Sequence, residues 1–210
     1  MSLELYNHLT AYGTVIETSF RLNNPSAYVQ WTEENFDYVR YNPRKDVNRW
    51  GLSLTSLDGG MSGIPDLDSL FDYNKDYGTT YGERDFSTTT AAYNYPDLAE
   101  ILLPIKQHLF RSHILRINPG GFFPPHRDYR GMNIDSYRII IPLQWCNPPN
   151  FTFIIDGKVQ TWEYGSVYFA DTAKMHYLFN ASFDPSYMAV FNVSLNEETI
   201  NFITRNMRQK

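Results

Sequence analysis

The spacing of apolar positions changes character near residue 112. From His113 onward, apolar residues come in short runs closed by turn residues. His113 to Ile117 stops at Asn118-Pro119-Gly120-Gly121, and Arg138 to Leu143 stops before Asn147-Pro148-Pro149-Asn150. Phe151 to Ile155 turns at Asp156-Gly157 into Lys158 to Trp162, a strong hairpin signal because both central residues tolerate positive φ. Ser166 to Ala170, Met175 to Phe179 and Tyr187 to Val193 complete the series. Short strands at this spacing predict a mostly β fold, a double-sheet jelly roll or a related barrel.

The first 110 residues alternate less cleanly. Pro25 and Ser26 suit the start of a short helix, and Trp50 to Leu57 alternates as a strand would before Asp58-Gly59-Gly60 turns the chain. Residues 58 to 95 are dense in Gly, Asp, Thr and Tyr and show little periodicity. A connection of that length suits a lid at a pocket mouth, with Tyr73, Tyr77, Tyr81, Tyr93 and Tyr95 facing it; a surface loop packed by its own tyrosines accounts for it equally well. Leu98, Ile101, Leu102, Ile105 and Leu109 recur at helical spacing, which predicts a helix from Pro96 to about Leu109 with a kink at Pro104. Asn196 followed by Glu197 and Glu198 reads as the cap and first turn of a terminal helix. The expected organisation is one domain over 1–210: an N-terminal elaboration with covering helix and lid over 1–110, a jelly-roll core over 111–195, and a C-terminal helix over 196–210.

Composition narrows the class. With 34 aromatic residues in 210 the chain suits strands around a lined pocket, and it is long enough to bury a core without disulfides. A net charge of -5 gives no overall basic footprint for nucleic acid, and no apolar run reaches membrane-spanning length. The N-terminus has neither the basic nor the apolar region of a secretory signal, and Cys146 is the single cysteine; together they predict a cytoplasmic protein. Trp145 and Asn147 flank Cys146 as a strand end entering a turn would, so its expected role is structural.

Candidate chemistry centres on Pro124-Pro125-His126-Arg127-Asp128. In an extended segment His126 and Asp128 face the same way while Arg127 faces the other. His176, 48 residues beyond Asp128 on a different predicted strand, supplies a third donor. Two imidazoles and a carboxylate on one face form the open arrangement of non-haem iron(II) sites, although zinc accepts the same donors. Taken singly, a His-x-Asp pair is more often a surface histidine beside an acid, and a lone strand histidine a satisfied core residue. Prolines and glycines at 119–125 and three strands between the two histidine-bearing elements favour the joint site. His8, His108 and His113 read as structural or solvent-facing.

The sequence resembles the 2-oxoglutarate and iron(II)-dependent oxygenases, and among them the aspartyl/asparaginyl β-hydroxylases and bacterial free-proline hydroxylases. The resemblance spans about residues 112 to 193. It rests on Leu115-Arg116-Ile117-Asn118-Pro119-Gly120, Pro125-His126-Arg127-Asp128, Arg138-Ile139-Ile140-Ile141-Pro142-Leu143, Gly157, Trp162, Gly165, Phe169-Ala170-Asp171 and His176. Arg49 to Leu54 is similar to an early core strand of the family. The resemblance implies a double-stranded β-helix of cupin-like type, iron(II) held by His126, Asp128 and His176, and 2-oxoglutarate bound by Arg138. It departs from the family at Ser186, ten residues after the distal histidine, where a second cosubstrate arginine is usual, and at Ile140, where some members carry histidine. Arg116, Arg130 and Lys174 are the basic residues considered for the missing charge.

The function implied is hydroxylation of an unactivated C–H bond in a free amino acid or a peptide residue, with molecular oxygen as co-reactant. Two rivals stand beside it: a cupin-like metal enzyme that does not use 2-oxoglutarate, which Ser186 favours, and a metal-stabilised ligand-binding module.

Overall fold

The computed structural model describes residues 2–128 and 134–208. In chain order its elements are α1 (Ser2–Thr10), β1 (Val15–Arg21), α2 (Pro25–Asn35), β2 (Val39–Arg40), β3 (Arg49–Ser53), β4 (Thr55–Ser56), α3 (Leu70–Tyr77), β5 (Thr88–Thr89) and α4 (Pro96–Leu102). There follow β6 (His113–Ile117), β7 (Phe122–His126), β8 (Ser136–Gln144), β9 (Phe151–Ile155), β10 (Lys158–Val159), β11 (Ser166–Ala170), β12 (His176–Asn180), β13 (Ser186–Ser194) and α5 (Glu197–Thr204).

A seven-stranded sheet runs β1-β11-β8-β13-β6-β3-β2, and a four-stranded sheet runs β10-β9-β12-β7, all neighbours antiparallel. Side-chain alternation divides the interior into two cores. Tyr137, Ile139, Ile141, Val167, Phe169, Ala189, Phe191 and Val193 leave one face of the large sheet and pack under the helices with Leu9, Tyr28, Leu98 and Ile203. Leu115, Ile117, Ile140, Tyr168 and Met188 leave the other face and meet Phe151, Phe153, Ile155 and Leu178 of the small sheet. The large sheet is therefore covered on both sides, which is why β8, β11 and β13 carry apolar residues at successive positions rather than only at alternate ones. Phe151, Phe153 and Ile155 are buried while Thr152 and Ile154 are half-buried, as suits a strand with one covered face. This is the mostly β, double-stranded β-helix architecture with flanking helices.

Local chemistry explains the boundaries. Asp156 and Gly157 have φ of 51° and 74°, so the hairpin joins β9 to β10 through the turn its sequence predicts. The Asn196 side chain accepts the Thr199 N–H at 3.0 Å and caps α5. The helix predicted over Pro96 to Leu109 is α-helical only to Leu102 and continues as 3₁₀ over Leu103–His108. Pro104 has no N–H to give to the carbonyl four residues back, and the chain tightens there. Leu98, Leu102, Ile105 and Leu109 still reach the core.

The N-terminal hundred residues are more than an elaboration. β1 pairs with β11 and β3 with β6, so three of the seven strands of the large sheet come from this part. Segment 58–95 packs against β3 on the face that carries Gly51 and Ser53: Leu67 closes over Gly51, and Asp66 accepts a hydrogen bond from Ser53 Oγ at 3.1 Å. Burial pushes the Asp66 carboxyl up to about 6, the Ser53 donor opposing it only in part. Because the folded value lies above the unfolded one, ionised Asp66 opposes folding near neutrality, and that cost is relieved as pH falls through 6. Asp66→Asn is expected to stabilise the protein by about 1 to 3 kcal/mol at pH 7 and by nothing below pH 4. Denaturant melts of both proteins at the two pH values check it.

Candidate metal centre

The two sheets enclose a cavity at the end where β7 and β12 carry histidine. β7 is the edge of the small sheet, the one place where Pro124 and Pro125 break no ladder. It pairs with β12 so that His126 stands opposite His176, with a bulge just beyond that pair. The imidazole centroids lie 4.1 Å apart. After Arg127, which points to solvent, the Asp128 N–H bonds the Thr172 carbonyl at 3.1 Å and the carboxylate swings back to the histidines. Asp128 Oδ1 is 3.6 Å from His126 Nε2 and 3.7 Å from His176 Nε2, and one donor atom from each of the three residues lies within 4.8 Å of the others. Donors held roughly 2.0 to 2.2 Å from one ion are separated by about 3 to 4 Å, so the three fit a divalent cation.

The hydrogen bonds orient the donors. His126 Nδ1–H donates to the Pro124 carbonyl at 2.7 Å and His176 Nδ1–H to the Lys174 carbonyl at 3.0 Å. Each ring thus uses the carbonyl two residues behind it to fix its tautomer, leaving the Nε2 lone pair toward Asp128. Arg138 Nε donates to Asp128 Oδ2 at 2.9 Å, which reserves Oδ1 for the imidazole side. Burial would raise the Asp128 carboxyl, but the Arg138 guanidinium and His176 outweigh it and hold it at about 2. Burial lowers His176, against the pull of Asp128. An ionised carboxylate is the protonation state that a cation needs of this donor.

Arg138 and Ile140 line this cavity while Ile139 turns to the helix-side core, the alternation expected for β8. The other basic candidates lie elsewhere. Arg116 faces the opposite side, bonded to Asn118 and Glu33; Lys174 is exposed; Arg130 falls outside the described residues. The Ser186 hydroxyl donates to the Trp145 carbonyl at 2.6 Å. No residue of 58–95 lines the cavity, in contrast to the lid expectation: Tyr73, Tyr77 and Tyr81 cluster on one another, and Tyr93 and Tyr95 pack on the helix side. The walls come instead from Tyr41, His113, Phe123, Phe153, Leu178 and Met188.

Sequence reasoning missed three residues here. His113, read as structural, is a buried, cavity-lining histidine whose Nδ1 has no partner; burial first, then Arg111 and Arg138, hold it well below its usual value. Tyr41 had no periodic signal around it. Arg49 was noticed only as part of a core strand, yet it is a buried arginine. Cys146 has the predicted structural role. Its thiol donates to the Tyr187 carbonyl, and burial pushes it up to about 12. It is expected to resist thiol reagents in the native protein and to react fully on unfolding, which a timed colorimetric assay measures.

Among solved structures, a 2OG-Fe(II) oxygenase family oxidoreductase from Burkholderia pseudomallei aligns over 93% of this chain and 91% of its own, with a TM-score of 0.50 at 11% identity. HygX from Streptomyces hygroscopicus aligns over 91% of this chain and 86% of its own, with a TM-score of 0.52 at 10% identity. At such identities the likeness is one of fold. No match is found among curated proteins. The family model of the aspartyl/asparaginyl β-hydroxylases matches residues 72–193, more than half of the chain and every strand from β5 to β13. The chain therefore belongs to the aspartyl/asparaginyl β-hydroxylase family and is an enzyme of its 2-oxoglutarate-dependent hydroxylase class.

Proposed function

We propose that the protein hydroxylates a free amino acid or a peptide residue, with His126, Asp128 and His176 as the protein ligands of iron(II) and 2-oxoglutarate as cosubstrate. The observation that carries this is the convergence of three donors whose orientation is already set by hydrogen bonds to Pro124, Lys174 and Arg138. Three protein ligands leave further coordination positions open on the cavity side. HygX, which shares the fold, has nickel and 2-oxoglutarate bound in its structure, and this supports the assignment. Bound at this site, iron(II) supplies the oxidative chemistry that couples oxygen and 2-oxoglutarate, released as succinate and carbon dioxide, to C–H hydroxylation.

The chain's own residues position and shield. Arg138 holds Asp128 ionised and in place and offers its charge to the metal-proximal end of the cosubstrate. Phe123, Phe153, Leu178 and Met188 give the cavity apolar walls that keep water from the reacting centre. The lone buried thiol supports a cytoplasmic location.

Anaerobic titration of the iron(II) protein with 2-oxoglutarate is expected to produce a weak visible charge-transfer band. Amino acids and short peptides are then screened for stimulation of succinate release. Full iron loading without the band would remove 2-oxoglutarate from the site; a band without stimulation by any amino acid or peptide would remove the substrate class.

A further inference from the structure

Arg49 is 4% exposed, and no acidic side chain among the described residues lies within ion-pair distance of it. Its Nε has no hydrogen-bond partner among the described residues. A buried guanidinium without an acid is costly, and such groups are retained where something else supplies the counter-charge. The side chain lies over the Phe123 ring, 4.0 Å from its centroid, and 5.6 Å from that of Tyr41. Both rings line the cavity, and Phe123 in turn stacks on the His126 imidazole at 6.0 Å. One aromatic ring therefore separates the guanidinium from the metal-ligand cluster.

Strand register places the residue on the cavity face. Arg49 pairs with Ile117, Gly51 with Leu115 and Ser53 with His113, and Ile117, Leu115 and His113 all point between the sheets. Ile117 pairs on its other side with Ser186. Arg49 and Ser186 thus flank the same residue on one face, two strand spacings or about 10 Å apart. Along β13, the residues that follow Ser186 on this face and line the cavity are Met188 and Val190, neither of which carries charge. At the opposite end, Arg138 is engaged with Asp128.

We propose that Arg49, reaching in from β3, is the anchor for the carboxylate of 2-oxoglutarate that lies remote from the metal. The assignment rests on the proposed function, since it needs a dicarboxylate in this cavity. A planar guanidinium receives a carboxylate through two parallel N–H···O bonds, and its stacking on Phe123 and Tyr41 fixes the plane of that fork beforehand. Gly51, the next residue along the same face, leaves room for Leu67 and for the Tyr41 ring beside it, because a Cβ there would meet Leu67 at 2.9 Å and Tyr41 at 3.4 Å.

The test is anaerobic calorimetry on the iron(II) protein with 2-oxoglutarate and with 2-oxobutyrate, which keeps the keto-acid end and lacks the remote carboxylate. Wild type is expected to prefer 2-oxoglutarate by at least about 30-fold. Arg49→Met is expected to bring the two within a few-fold of each other by weakening 2-oxoglutarate alone. Arg49→Lys keeps the charge without the fork and is expected to lose part of the preference, so it carries the test if the methionine variant does not fold. A preference that survives in both variants, or a loss that weakens both keto acids equally, overturns the anchor and marks Arg49 as a packing residue. Equal binding of the two keto acids by wild type overturns the anchor while leaving the iron and keto-acid site standing. Binding of neither by fully iron-loaded wild type overturns the proposed function, and the anchor with it.

Discussion

Asp128→Ala is expected to empty the metal site and to abolish turnover while the fold remains intact. The carboxylate is the only anionic donor of the three, and it lies 3.6 and 3.7 Å from the two Nε2 atoms, so removing it leaves two imidazoles facing a cavity that also holds the Arg138 charge. Even a residue that only supports a ligand is commonly worth roughly 10- to 100-fold in metal affinity, and loss of the ligand itself exceeds that. Iron content after anaerobic loading at matched free metal measures the change. Thermal unfolding of the metal-free proteins serves as the control. Asp128 sits outside both apolar cores, so the metal-free variant should still unfold cooperatively, at a lower temperature than metal-free wild type because Arg138 loses its carboxylate partner. Full iron loading of the variant would strike Asp128 from the ligand set.

Arg138→Met is expected to damage both ends of the same chemistry. The family resemblance implies that Arg138 is a charged anchor for the cosubstrate; the structure adds that its Nε already donates to Asp128 Oδ2. Losing this donor deprives a half-buried carboxylate of its strongest stabilising neighbour and frees it to rotate. Metal affinity should drop by roughly 10- to 100-fold rather than stay unchanged. With iron restored to saturation, 2-oxoglutarate should still bind more weakly, by about 2 to 5 kcal/mol for a desolvated charge pair. Calorimetry at matched iron occupancy separates the two losses. If only metal affinity changes, Arg138 positions Asp128 and does not touch cosubstrate.

The jelly roll was legible because its physics is local. Turn residues at 118–121, 147–150 and 156–157 punctuate apolar runs of strand length, and strand length and turn chemistry depend on neighbours in the chain. His126 and Asp128 were legible as a pair from their spacing on a segment expected to be extended, although β7 ends at His126 and the chain beyond it swings Asp128 back. The fate of Pro96 to Leu109 was half legible: the apolar stripe was plain, and the missing N–H of Pro104 decided where α gave way to 3₁₀.

Register and sheet order belong to the tertiary structure, because pairing partners far apart in sequence leave no periodic trace. That His176 would stand opposite His126, and that Arg138 would reach Asp128 across the cavity, follows from how two sheets close on each other. The tyrosines of 58–95 looked like lid residues by composition, but Tyr93 and Tyr95 pack on the helix-side core, Tyr73, Tyr77 and Tyr81 gather on one another, and Tyr41 took the cavity wall. Arg49 shows the limit most plainly. In sequence it is one polar residue at the start of an apolar strand, indistinguishable from a solvated charge. Only the pairing of β3 with β6 turns it inward beside Phe123, where no acid among the described residues meets its charge.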